Sequence, residues 1–241
     1  MPDVPIQKFL ESSDLVFKGT VVQLHASTLP TVPARENSIV VRVDQGLRVA
    51  PVLGDLNGRL ITVLTKDVDK LKVEQHAIFL TSTWIHGNSI ATREVTRLDA
   101  DPTGEKTIKE GVAALPELRV QERVAMAELV VVGQVESIER ARNMQEFTSR
   151  HSPQWMTANI RVESVAKGNL NTDYISVIFP SSRDHMWSRS PKLQEGQSGI
   201  FILHQGGTPL APLQALTALD PADFQQRNML SSVEKFVGPA N

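Results

Sequence analysis

The chain has no cysteine among its 241 residues. That excludes disulfide staples, thiolate zinc sites and a cysteine nucleophile. Aromatic residues are scarce at 5%, with Tyr174 the single tyrosine, which leaves little material for the rows of stacking rings used by single-stranded nucleic-acid binders. Neither charge dominates. Lys plus Arg number 25 against 27 Asp plus Glu, a net charge of -2, which excludes a broadly basic nucleic-acid clamp but not a local basic patch. No apolar run approaches the roughly 18 residues of a membrane-spanning helix. Met1-Pro2-Asp3-Val4-Pro5 carries neither a basic nor an apolar leader region, and no Asn-x-Ser/Thr sequon occurs. The expected compartment is the cytoplasm, with a mature secreted or periplasmic chain that has lost its signal peptide as the alternative.

The signatures of enzymes are missing too. No His-Glu-x-x-His, Gly-x-Ser-x-Gly elbow, P-loop or Gly-x-Gly-x-x-Gly is present, and Gly206-Gly207 alone reads as a turn. The six histidines, His25, His76, His86, His151, His185 and His204, form no i,i+4 pair and read as ordinary polar groups. Asp67 and Asp69 are flanked by Lys66 and Lys70, which would repel a cation, so that stretch reads as a solvated loop. Ser181-Ser182-Arg183-Asp184-His185 holds the residue types of a hydrolytic triad, but adjacent residues rarely point together. The chain is expected to be no enzyme and to take no cofactor and no metal.

What is there is a core and a repeat. Apolar residues make up 41%, enough for one large or two small folded domains. Asp14-Leu15-Val16-Phe17-Lys18-Gly19-Thr20-Val21 matches Glu128-Leu129-Val130-Val131-Val132-Gly133-Gln134-Val135. Val41-Arg42-Val43-Asp44 matches Ile160-Arg161-Val162-Glu163, Ile61-Thr62-Val63-Leu64 matches Ile175-Ser176-Val177-Ile178, and Gln75-His76-Ala77-Ile78-Phe79-Leu80 matches Gln197-Ser198-Gly199-Ile200-Phe201-Ile202. Leu98-Asp99 pairs with Leu219-Asp220 as a fifth anchor. Each run reads as a strand, rich in β-branched and aromatic residues and bounded by turn residues. A short helix leads each copy, with Ile6 and Leu10, then Val120 and Val124, at i,i+4. Pro116 is expected to break the second of these in two. A last helix is expected over 222–236, started by Asp220-Pro221.

The pattern predicts a mainly β protein made of two tandem five-stranded OB-like β-barrels with short flanking helices. A seven-stranded immunoglobulin-like sandwich is the second choice. The expected division is a first helix-plus-barrel repeat over 1–104, a linker over 105–118, and a second repeat with a C-terminal helix over 119–241.

In the second copy, Glu128-Leu129-Val130-Val131-Val132-Gly133 is followed by Ile160-Arg161-Val162-Glu163-Ser164-Val165-Ala166-Lys167-Gly168, then Ile175-Ser176-Val177-Ile178. Glu195-Gly196-Gln197-Ser198-Gly199-Ile200-Phe201-Ile202-Leu203 closes the series. This order resembles the netrin/TIMP-like OB-fold module. The first copy departs from it, with Gln45-Gly46-Leu47-Arg48 near where Lys167-Gly168 stands in the second. The metalloprotease inhibitors of that family act through an N-terminal cysteine that chelates zinc. A chain without cysteine cannot carry that activity, so the resemblance implies a binding or assembly module.

The loops name the candidate contacts. Between the first two strands of the second copy lie Arg142, Phe147, Arg150 and Trp155, and a later loop holds Arg183, Trp187 and Arg189. In the first copy Trp84 precedes a Gly87-Asn88 turn. Trp and Arg are the residues enriched in binding hot spots. Three readings stay open: anchors for a protein partner, a groove for single-stranded nucleic acid, or Trp155 and Trp187 capping their own barrel. The equivalent first-copy loop, from His25 to Ser38, is Pro-punctuated and nearly uncharged through its first ten residues. It can lie along a partner's sheet edge, or simply cover its own barrel. Protein partners are therefore expected for an adaptor or structural module. Single-stranded nucleic acid is a disfavoured alternative, and a protease-inhibitor-like use of an extended loop is another.

Overall fold

The computed structural model describes residues 5–29, 33–86, 89–141, 153–182, 187, 190–206 and 215–238. The chain divides into two compact units, Met1–Leu115 and Pro116–Asn241.

In the first unit, alternation of apolar residues folds five strands around one core. They are β1 (Leu15–Leu24), β2 (Ser38–Arg48), β3 (Leu60–Leu64), β4 (His76–His86) and β5 (Ser89–Asp99). Their order is β1-β2-β3-β5-β4, with β4 returning to pair with β1 and β3 parallel to β5. This is a closed barrel with OB-fold strand order, as the repeat predicted, and closure removes the sandwich alternative. Leu15, Phe17, Val21, Ile39, Val41, Ile61, Val63 and Phe79 fill the inside. The Phe17 and Phe79 rings stack at 5.4 Å. On the outside, Val16, Ile78 and Leu80 are covered by Leu10 of α1 (Ile6–Glu11) and Ile108 of α2 (Pro102–Met126).

The second unit repeats the plan with β6 (Leu129–Arg140), β7 (Gln154–Lys167), β8 (Tyr174–Ser181), β9 (Ser198–Gln205) and β10 (Leu216–Thr217). Their order is β6-β7-β8-β10-β9, closed by β6 against β9, with β8 parallel to β10. Val131, Ile160, Val177, Phe179 and Phe201 fill this core. Val120 and Val124 of α2 lie on the outer face of β6 and β9, joined by Val233 of α3 (Leu230–Val237). The shared glycines explain themselves here. A Cβ on Gly19 would stand 2.8 Å from Arg42 O, and one on Gly133 would stand 2.5 Å from Arg161 O. Each barrel therefore needs a bare Cα where its first strand crosses its second.

Three expectations change. Pro116, expected to break the helix in two, lies inside α2, which runs through it without ending; the expected linker 105–118 is helical and spans the boundary of the two units at Leu115 and Pro116. A proline in a helix interior costs about 3 kcal/mol. Burial outweighs it, because the helix packs Ile108 into the first unit's apolar cover and Val124 into the second's. The last helix begins at Leu230, not at 222. Residues 221–229 form two single turns on either side of β11 (Phe224–Gln225), which adds to β9. Asp220 does start a turn, closing a capping box with Asp223. Finally, the Leu98-Asp99 match slips. By strand pairing, the long β5 of the first barrel corresponds to β10 and β11 together, with the turn at 221–223 inserted between them. Phe224 on β11 then supplies the second core ring, 5.3 Å from Phe201. Among the described residues no helix is long and apolar enough to cross a membrane.

Candidate binding face on the second barrel

A strand in a barrel shows alternate residues to the core and to solvent. Met156, Ala158, Ile160 and Val162 of β7 belong to the core, so Trp155, Thr157, Asn159 and Arg161 stand outside. Their partners on β8 are Pro180, Ile178, Ser176 and Tyr174. The outer surface of the second and third strands is where OB barrels characteristically bind. A polar ladder crosses it. Ser176 Oγ donates to Asn159 Oδ1 at 2.8 Å, and Asn159 Nδ2 donates to Ser137 Oγ at 3.1 Å. One rung lower, Arg161 donates to Glu136 at 3.0 Å and to Gln134 at 3.2 Å. Ser176 is exposed and Tyr174 is 50% exposed. Glu163, beside them, is held below the usual carboxylate range by a hydrogen bond from Arg227.

The same face of the first barrel is closed at one rung, while Leu60 on the next stays 51% exposed. Its register places Val40 opposite Thr62 and Arg42 opposite Leu60, the rungs that Asn159–Ser176 and Arg161–Tyr174 occupy in the second. Thr62 is fully buried and Val40 is 5% exposed. Residues 26–29 of the connection between β1 and β2 cover them. The Thr28 amide donates to Thr62 Oγ1 at 2.9 Å, the Thr28 hydroxyl meets the same oxygen at 2.9 Å, and Ser27 Oγ lies 3.3 Å away. Leu29 and Ala26 are buried with them. His25 turns the chain into this path with φ 52°, and its Nδ1 donates to Glu36 O at 2.7 Å.

Of the residues singled out by sequence, Trp155 lies on the outer side of β7 but is only 7% exposed. Its ring meets that of the half-buried Trp187 edge-on, centroids 5.4 Å apart. Lys192 fastens the pair's surroundings, donating to Trp187 O at 2.8 Å and Pro180 O at 3.1 Å. Burial lowers the Lys192 pKa. The backbone of Trp84 pairs with Ala91, while its side chain lies outside the described residues. So do Arg142, Phe147, Arg150, Arg183 and Arg189. Asn159, Arg161, Tyr174 and Ser176 were not singled out. The available signal was the comparison of copies, Val40 against Asn159 and Thr62 against Ser176, read on the outward positions.

Two polar clusters were also missed. Asp223 is fully buried and accepts from Arg123 Nε and Nη2, at 2.7 and 2.9 Å, together with the amides of Leu219 and Asp220 at 2.8 Å. His204 Nε2 stands 3.4 Å from Asp223 Oδ1 without a hydrogen bond. Arg119 pairs with Asp220 alongside. These groups border a pocket of about 330 Å³ lined by Arg123, His204, Thr217, Leu219 and Asp220. The arginines answer the carboxylates, and the Thr217 hydroxyl donates to the His204 carbonyl at 3.1 Å, so the cluster reads as a clamp on the inserted turn. In the first barrel the buried Thr20 hydroxyl donates to Asp44 at 2.6 Å and lies 2.9 Å from His76 Nδ1. Its one proton goes to Asp44, so the imidazole must donate to it, which is the wrong polarity for activating a nucleophile. Among the described residues no group of three His, Asp or Glu could hold a metal ion.

No family model matches the chain, and no curated protein sequence matches it. The netrin/TIMP-like resemblance therefore stays at the level of strand pattern. Among solved structures, the chain is similar to wild-type single-stranded DNA binding protein from Thermus aquaticus. The identity is 12%, the match covers 88% of this chain and 91% of that one, and the TM-score is 0.20. So loose a superposition says nothing of what this chain binds. The class rests on the strand order itself: two closed five-stranded barrels that fit OB-fold modules.

Proposed function

We propose that the chain is a non-catalytic protein-binding module, in which the second barrel binds a partner through the outer face of β7 and β8. The observation that carries this is the difference between the copies. The first barrel buries Thr62 under its own residues 26–29, while the second leaves the equivalent Ser176 exposed on a braced polar ladder. Charge favours a protein over a polyanion. Glu136 and Glu163 take up Arg161 and Arg227 in ion pairs, so these two cations are already answered and less available to a phosphate backbone.

The second reading, single-stranded nucleic acid, draws on Arg142, Arg150, Arg183 and Arg189, which flank Trp155 and Trp187 in the sequence. Affinity capture from host lysate, with and without nuclease, separates the two. Defined proteins retained after nuclease and lost with Tyr174→Ala support the protein-binding reading. Captured material that disappears with nuclease, or that ignores Tyr174→Ala, sinks it.

A further inference from the structure

Resting on that reading, the geometry points to the kind of partner segment the open face takes: an extended, uncharged Ser/Thr-containing peptide. Such a peptide would lie across β7 and β8 with one backbone amide on Ser176 Oγ. The template is in the molecule. Residues 26–29, Ala-Ser-Thr-Leu, lie in this way on the first barrel, and the Thr28 amide donates to Thr62 Oγ1.

The second barrel presents polar groups on the matching rungs. Ser176 stands on the rung of Thr62, and its hydroxyl proton is already committed to Asn159 Oδ1. A hydroxyl oxygen keeps two lone pairs for acceptance, so Ser176 is set as an acceptor for an incoming amide. Asn159 stands on the rung of Val40 and spends one N–H on Ser137. A carboxamide nitrogen carries two, and the second suits a peptide carbonyl. Tyr174 takes the place of Leu60. Both side chains are half exposed, and the phenol ring makes an apolar wall where the segment would leave the face. Glu136 and Glu163 are already paired with Arg161 and Arg227, which suits an uncharged segment, and the template stretch carries no charge.

The single tyrosine makes the test specific. 3-Fluorotyrosine labelling of the full chain puts one 19F resonance on this face. The probe is a synthetic peptide with the sequence of residues 25–33. It should shift that resonance saturably. Ser176→Ala should weaken binding about tenfold, and Ser176→Thr, which restores the hydroxyl found at Thr62, should recover it. A peptide with proline in place of Thr28 lacks the amide proton and should also bind about tenfold more weakly. A resonance that the peptide leaves unmoved, or a shift indifferent to Ser176→Ala, overturns the proposal. So does a shift produced by oligothymidine and not by peptide. If the peptide fails while a captured protein still moves the resonance, only the peptide inference falls. If neither moves it, the binding face falls as well.

Discussion

Thr62 and Ser176 stand on the same rung of the same strand in the two barrels, yet Thr62 is fully buried and Ser176 is exposed. One hydroxyl accepts from the chain's own Thr28 amide, and the other, on an exposed residue, donates to Asn159. The two barrels share one strand plan, and in the first the connection between its first two strands covers this rung. Different costs for equivalent changes are expected. Thr62→Val removes the fully buried hydroxyl that accepts the Thr28 amide, at about 1 kcal/mol or somewhat more. Ser176→Ala strips an exposed hydroxyl and should stay within about 0.5 kcal/mol. Urea unfolding followed by amide exchange in each unit measures both, and equal costs would refute the contrast.

The inserted turn between β10 and β11 depends on Arg123. Removing one member of a buried pair leaves the other charge uncompensated, at a cost of about 3–5 kcal/mol. Arg123→Ala, which strands the fully buried Asp223, is expected to approach that range. Arg119 is far more exposed than Arg123, so Arg119→Ala should cost about 1 kcal/mol or less. Denaturation of the two variants side by side tests the order, and a larger loss for Arg119→Ala would reverse it.

The same turn should loosen in acid. Burial acts to raise the pKa of both Asp220 and Asp223. For Asp220 the Arg119 guanidinium and the Ala222 amide outweigh it; for Asp223 the Arg123 guanidinium and a backbone amide do so. Both carboxyls therefore fall below the ordinary value of 3.8. A carboxyl depressed in the folded state stabilises fully above its unfolded pKa and loses that contribution as pH falls through the folded one. Amide exchange at β11 and α3 should therefore quicken as pH drops from about 4 toward 2, after correction for intrinsic rates. Asp223→Asn should flatten that dependence. Constant protection over the window would show that the carboxylates do not hold the turn.

Much of this fold was legible because it was written twice. The periodicity of Leu15-Val16-Phe17 and Leu129-Val130-Val131 reports a pleat, and repeating the whole strand order in one chain removes chance. The helix ends were harder. Pro116 is a breaker by local rule, but buried residues on both sides of it carry α2 through. Phe224 and Met229 look like one helical face, but Phe224 is drawn into β11 to fill the core beside Phe201. The binding face was the least legible. Asn159 and Ser176 are ordinary strand residues until the register sets them side by side, whereas Trp155 drew notice for its residue type and proves buried.

The close crossings at Gly19 and Gly133 predict matched costs. A methyl at Gly19 would meet Val41 Cγ1 at 2.6 Å, and one at Gly133 would meet Ile160 Cγ2 at 2.9 Å, each with a carbonyl oxygen close by. Overpacking of this kind costs about 1–3 kcal/mol. Gly19→Ala should therefore destabilise the first unit and Gly133→Ala the second, by similar amounts. Unit-resolved thermal unfolding would show it, and indifference at either site would remove the common explanation for the two glycines.

Trp155 and Trp187 offer the sharpest separation of core from contact. Both belong to residue types that dominate binding surfaces, but Trp155 is buried and Trp187 packs edge-on over it. Truncating a buried aromatic costs about 3–5 kcal/mol through lost burial and the cavity left behind. Trp155→Ala should destabilise the second unit by close to that amount, and Trp187→Ala by less, since its ring is covered on fewer sides. Trp155→Phe keeps an apolar ring against Trp187 and should recover a large part of the loss. Equilibrium denaturation gives the stability of each variant, and capture of the partner by the folded Trp155→Phe protein gives its effect on binding. A Trp155→Ala protein as stable as the parent but unable to bind would make Trp155 a contact residue and move the binding surface from Asn159 and Ser176 to the end of the barrel.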